Sequence, residues 1–274
     1  MQSVNTNTGA MVALQNLNAT SSALQKTQNI ISTGLKVASA KDDGATYAIA
    51  QSQRGTVASL DAVKSSLSRS ASVVDVAMSA GDSVTSLLSQ MKEKALAASD
   101  TSLDTTSRSA MATDFASLRD QITKTLSNAT FNGINIIDGT NSSISALANA
   151  TGSSVITVTG QNLSLGGSIV SVGTAATFAT ATSASNLLST LDSSINNVSA
   201  ALAKLGTAST ALSNQATFVG KLQDSLNAGI GNLVDADMAQ ESAKLQALQT
   251  KQQLGVQALS IANQSSSTVL SLFR

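Results

Sequence analysis

The sequence of 274 residues contains no cysteine, no histidine, no tryptophan and no proline. Without cysteine or histidine, the thiolate and imidazole ligands of most zinc, copper, haem and iron–sulfur sites are missing, as are Ser-His-Asp and Cys-His catalysis. The absence of proline, where average usage gives roughly 14 in a chain this long, points to long helices that proline would kink. Aromatics make up 2% of the residues, five Phe and one Tyr, which is thin for a conventional enzyme core and for base stacking. Charge is scarce too: 12% of residues, with 16 Lys and Arg balanced by 16 Asp and Glu. A neutral chain with no basic block has no electrostatic footprint for nucleic acid or an anionic membrane, and copies of it repel one another weakly. No apolar run reaches the roughly 20 residues that span a bilayer. Met1–Asn7 has neither a basic nor an apolar signal region, so secretion would use a route that cleaves no signal peptide.

What is present is periodicity. Leu14, Leu17, Ser21, Leu24, Gln28, Ile31 and Leu35 form a heptad stripe with polar interruptions. A longer stripe runs from Ile49 through Leu60, Leu67, Val74, Gly81 and Leu88 to Ala98, a helix on the order of 75 Å long. Asp104 is placed to cap a shorter helix marked by Met111, Phe115, Leu118, Ile122 and Leu126. Asn132-Gly133 and Asp138-Gly139 punctuate a hairpin containing Ile134, Ile136 and Ile137. No charge occurs between Asp138 and Asp192; this Ser/Thr/Gly-rich stretch, with β-prone runs at 155–159 and 169–172, reads as a small, partly stranded, mobile insert. Helical period returns from Leu188 to Leu226, and Gly229 and Gly231 are expected to break it. A last helix begins at Asp235 or Asp237, with Leu245, Leu248, Gln252, Gly255, Leu259 and Val269 in heptad register. The order is near-symmetrical: short helix, long helix, hairpin and insert, long helix, short helix. The long helices can satisfy each other as an antiparallel bundle. The thin-striped terminal helices are marginal alone and call for other copies of the chain.

Catalytic constellations are lacking. Asp42-Asp43 and Asp235-x-Asp237 are the close acidic pairs, and each precedes a helical segment, where capping and the helix dipole favour carboxylates. Lys92, Glu93 and Lys94 read as a solvated face. No metal, cofactor or catalytic residue is assigned, and no enzymatic activity is expected.

The two ends together resemble bacterial flagellin. The matching residues are Val4-Asn5-Thr6-Asn7, Ala13-Leu14-Gln15-Asn16-Leu17 and the run from Ser32 to Asp43, then Phe131-Asn132-Gly133, then Asp235-Ala236-Asp237-Met238-Ala239-Gln240-Glu241-Ser242, Gln264 and Val269 to Arg274. The resemblance implies a mainly α fold: a long antiparallel helical bundle and coiled coil with a β-hairpin and a small insert. It implies an inner D0 coiled coil of residues 1–41 and 236–274. A D1 rod would comprise 42–140 and 184–235, with the hairpin near 131–139 and a variable surface insert at 141–183. The implied function is that of an extracellular, self-assembling subunit of the flagellar filament used for swimming, with a hook–filament junction protein of the same superfamily as the alternative. Implied partners are further copies of the chain, other flagellins, the export apparatus, an export chaperone, the filament cap and hook-associated proteins. Nucleic acid and membrane insertion are not expected.

Carried over by position, Leu14, Leu17, Leu24, Ile31, Leu245, Leu248, Leu259, Val269, Leu270, Leu272 and Phe273 would be buried in the assembled tube. Lys41, Asp42, Asp43, Asp235 and Asp237 would connect the layers. Many flagellins carry an Arg-x-x-Arg-Glu-Leu stretch that an animal Toll-like receptor recognises. Here the corresponding run is Gln90-Met91-Lys92-Glu93-Lys94-Ala95, in which Gln90, Lys92, Glu93 and Lys94 alter the pattern and imply weak receptor recognition.

Overall fold

The computed structural model describes residues 6–271, with side-chain surroundings for 6–264. Its elements are α1 (Thr8–Thr33), α2 (Gly44–Ala98), α3 (Thr105–Asn128), β1 (Ser143–Leu147), β2 (Val155–Thr159), α4 (Ala181–Val234) and α5 (Met238–Ser271). The fold is mainly α, as the periodicity predicts. The chain divides into two compact units, one of Met1–Gly55 with Ser225–Arg274 and one of Thr56–Asp224.

In the first unit α1 and α5 pair antiparallel. The Asn7 side chain joins their ends: its Oδ1 caps α1 by accepting from Ala10 N at 2.9 Å, and its Nδ2 donates to Ala262 O at 2.8 Å. Further along, Leu17 lies over Gly255, where an added Cβ would stand 3.3 Å from Leu17 Cδ1, and Gln252 Nε2 donates to Ser21 Oγ at 3.4 Å. The seam is turned slightly from the stripe expected on α1. Thr20 and Thr27 are buried, whereas Leu14 is 48% exposed and Gln28 faces outward. Thr20 tolerates this position because its hydroxyl bonds Asn16 O one turn back.

Gly34 ends α1 in the left-handed region, φ 72°, with its N–H on Ile30 O. The chain then crosses residues 234–236 in a short antiparallel pairing, with Lys36 N on Val234 O at 2.7 Å and Ala236 N on Gly34 O at 2.9 Å. The expected break at Gly229 and Gly231 does not occur, and α4 continues to Val234. Helical hydrogen bonds outlast the glycines' weak propensity. Gly231 instead leaves room for the Asp235 carboxyl, which lies 2.7 Å from the place of an added Cβ. The turn falls at Asp235–Asp237, where Asp237 Oδ1 accepts from Ala239 N and Gln240 N to start α5.

The second unit is built on α2 and α4, antiparallel, with α3 laid alongside. Leu60, Leu67, Val74, Leu88 and Met91 of α2 are buried, as are Leu191, Val198, Leu205, Leu212 and Val219 of α4 and Phe115 and Ile122 of α3. Gly81 permits a close approach of α4: its missing Cβ would lie 2.5 Å from Leu202 Cδ2. Asp104 caps α3, accepting from Thr106 N and Ser107 N, as its position in the sequence predicts. Arg108, 7% exposed, closes the α2–α3 turn by donating to the carbonyls of Ala98, Asp100 and Leu103.

The hairpin expected over 131–139 is a single tight turn. Phe131 and Ile134 exchange both backbone hydrogen bonds, with Asn132 and Gly133 at φ 51° and 78°, a type I′ geometry. Pairing stops there because the buried Asn135 takes over: its Nδ2 donates to Leu126 O and its Oδ1 accepts from Ile137 N, which turns Ile136 and Ile137 into the core. The strand expected at 155–159 forms, but its partner β1 lies in a polar run that gave little signal. Residues 169–172 contribute one bridge, Leu165 with Val170.

The segment expected to be mobile is fastened to all three helices of this unit. Leu147 N donates to Ser66 Oγ of α2; Gln215 Nε2 and Ser194 Oγ of α4 meet Ala148 O and Ser171 N. Arg119 of α3 donates to Ala176 O, and Phe178 packs edge-on against Phe115 with ring centroids 5.3 Å apart. Buried Ala146, Val158, Leu163, Val170 and Val172 complete the attachment.

Candidate assembly surfaces

The thin apolar stripes of α1 and α5 leave part of their hydrocarbon outside the seam. Leu17, Leu24, Ile31, Leu245, Leu248 and Leu259 are partly covered by the helix pairing. Around them Met11, Val12 and Leu14 on α1, and Leu254, Val256 and Ile261 on α5, are 48–70% exposed. Only Leu14 of these six stands in the expected stripe; the rest lie between heptad positions, where a one-stripe reading does not look. Isolated exposed apolar residues are ordinary; here six stand on one helix pair. Val269 and Leu270 lie in α5 with their side-chain surroundings not described, and Leu272 and Phe273 fall outside the described residues.

The residues predicted to connect the layers divide by task. Asp43 caps α2, accepting from Ala45 N at 3.0 Å and Thr46 N at 3.1 Å, with the Thr46 hydroxyl on its other oxygen. Asp42 Oδ2 accepts from the Ser39 hydroxyl and backbone N, both at 3.0 Å. These hydroxyl and amide donors hold the Asp42 and Asp43 carboxyls below their ordinary 3.8. Asp235 bridges Leu35, Asp237 caps α5, and Lys41 is exposed. Their chemistry is turn and cap structure: carboxylates matched to helix N-termini.

The Gln90–Ala95 stretch lies on α2 with Met91 and Ala95 buried. Lys92 is paired with Asp192 of α4, and Lys94 Nζ is 2.8 Å from Asp114 of α3. The Asp114 hydrogen bond raises the Lys94 pKa, so its ammonium stays charged and engaged. Gln90 and Glu93 are exposed. Both lysines are thus tied to neighbouring helices of their own subunit, a fact that spacing along one helix could not reveal.

Among the described residues no group of three His, Cys, Asp or Glu side chains converges as a metal site, and no helix is long and apolar enough to cross a membrane.

The comparisons with known proteins agree with the terminal pattern. Residues 4–142 match the bacterial flagellin N-terminal helical region and residues 188–273 the C-terminal helical region. Flagellin FljM of Caulobacter vibrioides is 58% identical over 274 residues, covering 100% of this chain and 99% of that protein. A flagellin of Brucella melitensis is 37% identical over 283 residues, with both chains fully covered. A solved chain described as a flagellar hook-associated protein from Vibrio parahaemolyticus shares the fold, with TM-score 0.60 and 15% identity over 71% of this chain and 100% of that one. Both terminal regions, matched in order, together with these relatives, place this chain in the bacterial flagellin family.

Proposed function

We propose that this chain is a structural subunit of the flagellar filament that polymerises by burying the outer faces of its α1–α5 coiled coil against other copies. One observation carries the reading: the α1–α5 pair, already packed together along one seam, still exposes Met11, Val12, Leu14, Leu254, Val256 and Ile261. Their burial between subunits supplies a driving force of about 25 cal/mol per Å² of apolar surface removed from water. In this reading residues 1–41 and 236–274 form the inner layer, 42–140 and 184–235 the surrounding rod, and 141–183 the outer surface. Nothing in the relatives' names or in this structure favours the junction role over the filament role. Export through a narrow channel, with a chaperone, and growth beneath a cap fit a chain free of cysteine and proline, which forms no wrong disulfide and awaits no prolyl isomerisation. The flagellin family is structural, and no residue here is assigned a catalytic role.

The test is removal of residues 260–274. The truncated protein is expected to keep the fold of residues 56–224 and to lose salt-induced polymerisation, read by electron microscopy. Normal filaments from the truncated chain would overturn the proposal.

The receptor-facing stretch belongs to the same reading. With Lys92 and Lys94 engaged within the subunit, the run offers neither a free guanidinium nor an apolar anchor. The expected reporter-cell response to purified subunit is far below that of a receptor-active flagellin, and an equal response would refute the assignment.

A further inference from the structure

Two contacts bound one end of the α1–α5 pair, Asn7 with Ala262 and Leu17 with Gly255. Met11, Val12 and Leu14 lie between them on α1; Val256 and Ile261 lie between them on α5, with Leu254 one residue beyond. Elsewhere on the pair, among the described residues, Met238 is the one other large apolar side chain that is exposed. The seam at this end is thin in hydrocarbon. Between Asn7 and Leu17 its half-buried positions on α1 are Ala10 and Ala13, and on α5 they are Gly255, Leu259 and Ala262. Burial stabilises in proportion to apolar area, so alanine and glycine hold the helices weakly and do little to select which residue meets which.

Asn7 supplies that selection. Its Nδ2 can only donate and its Oδ1 can only accept, so one orientation of the amide serves both Ala262 O and Ala10 N. A slide of α5 by one turn, about 5.4 Å, breaks the bond to Ala262. The two helices lie close here: a Cβ added to Gly9 would stand 4.0 Å from Ala262 Cβ.

We infer that Asn7 is a positioning residue for polymerisation. It fixes the register of α1 against α5, and with it the relative placement of residues 11–14 and 254–261, which meet other copies of the chain. The inference rests on the filament reading above. Capping α1 needs only the Oδ1 acceptor, and aspartate caps a helix as well as asparagine does. Register needs the donor too, and aspartate would set a second acceptor against Ala262 O.

The two roles therefore separate in Asn7→Asp, made in the full chain. At pH 7 its critical concentration for salt-induced polymerisation is expected to exceed that of wild type about tenfold or more, the scale of a lost hydrogen bond. Measured against wild type at each pH, the ratio should narrow toward about pH 4.5, because a protonated carboxyl donates to Ala262 O. No charged side chain occurs from 1 to 25 or from 252 to 273, so the change in ratio belongs to the introduced carboxyl. A cross-link gives the second readout. The chain has no cysteine of its own, and the Gly9–Ala262 spacing suits a disulfide. Gly9→Cys with Ala262→Cys in the Asn7→Asp chain is expected to restore the wild-type critical concentration when oxidised and not when reduced. An Asn7→Asp chain that polymerises like wild type at pH 7 would overturn the inference and leave the filament reading standing. So would a defect that neither acid nor the disulfide relieves, since lost register would then not be its cause. Failure of the wild-type chain to polymerise at all would overturn both.

Discussion

Replacing Gly160 by alanine tests how firmly the Ser/Thr/Gly-rich segment is built into the second unit. A Cβ at this position would stand 2.5 Å from Asn141 O, 2.9 Å from Ile136 O and 3.3 Å from Ser142 O. These are backbone atoms, which cannot swing aside as a side chain can. A carbon–oxygen contact of about 3.3 Å is the near limit, so the Asn141 carbonyl must retreat by about 0.8 Å. The same backbone carries Gly160 N to Ser142 O and Gln161 N to Ile136 O, each 2.8 Å. Losing both costs about 1 kcal/mol each, and the overpacking adds about 1–3 kcal/mol. The stiffer unfolded chain offsets about 0.4–1 kcal/mol. The net destabilisation is about 2–4 kcal/mol, which in a unit of this size lowers Tm by roughly 4–16 °C. Thermal melting followed by far-UV circular dichroism measures it, with Gly173→Ala as control, since an added Cβ there meets nothing within 4 Å and is expected to change stability by less than about 0.5 kcal/mol. Equal melting of the two variants would show that the segment is loosely attached and that the contacts around Gly160 do not constrain it.

Phe115→Ala removes a fully buried ring and the edge contact to Phe178; a loss of about 3–5 kcal/mol is expected, together with faster proteolysis within residues 173–180. Arg108→Met keeps the side-chain bulk but leaves the Ala98, Asp100 and Leu103 carbonyls without their donor. A loss of about 1–3 kcal/mol in urea denaturation is expected, and a neutral result would mean that water serves those carbonyls equally well. The carboxyls of Asp42, Asp43, Asp100 and Asp104 are all held below 3.8, chiefly by the Ser39, Thr46 and Ser107 hydroxyls and, for Asp100, by Ser102 N. Because their folded pKa values are depressed, the stability they contribute is complete above the unfolded value and disappears as pH falls through the folded ones. Melting temperature should therefore be flat near neutrality and fall below about pH 4, with a shallower fall in a variant carrying Asn at all four positions; a rise on acidification would refute the assignment.

The sequence by itself determined the helical architecture. Heptad stripes from Leu60 to Ala98 and from Leu191 to Val219 leave a long helix few alternatives, and Asp104 announced its cap, while the last helix's cap was narrowed to Asp235 or Asp237, because a carboxylate before a helix meets unpaired N–H groups wherever the helix packs. The absences of cysteine, histidine and proline likewise narrowed the function before any contact was known. Tertiary structure decided what depends on partners distant in sequence. Thr20 and Thr27 face the α1–α5 seam while Leu14 does not, because the angle at which α5 lies on α1 is set across the pair. Asn135 ends the hairpin after one bridge because Leu126 O lies within its reach, and the charge-free segment is fastened down by Ser66, Phe115, Arg119, Ser194 and Gln215, residues that otherwise read as ordinary helix positions. Glycines 229 and 231 show the same division. Local propensity argues for a break, but the helical hydrogen bonds continue through them, and the turn falls where Asp235 and Asp237 supply the pairing and the cap.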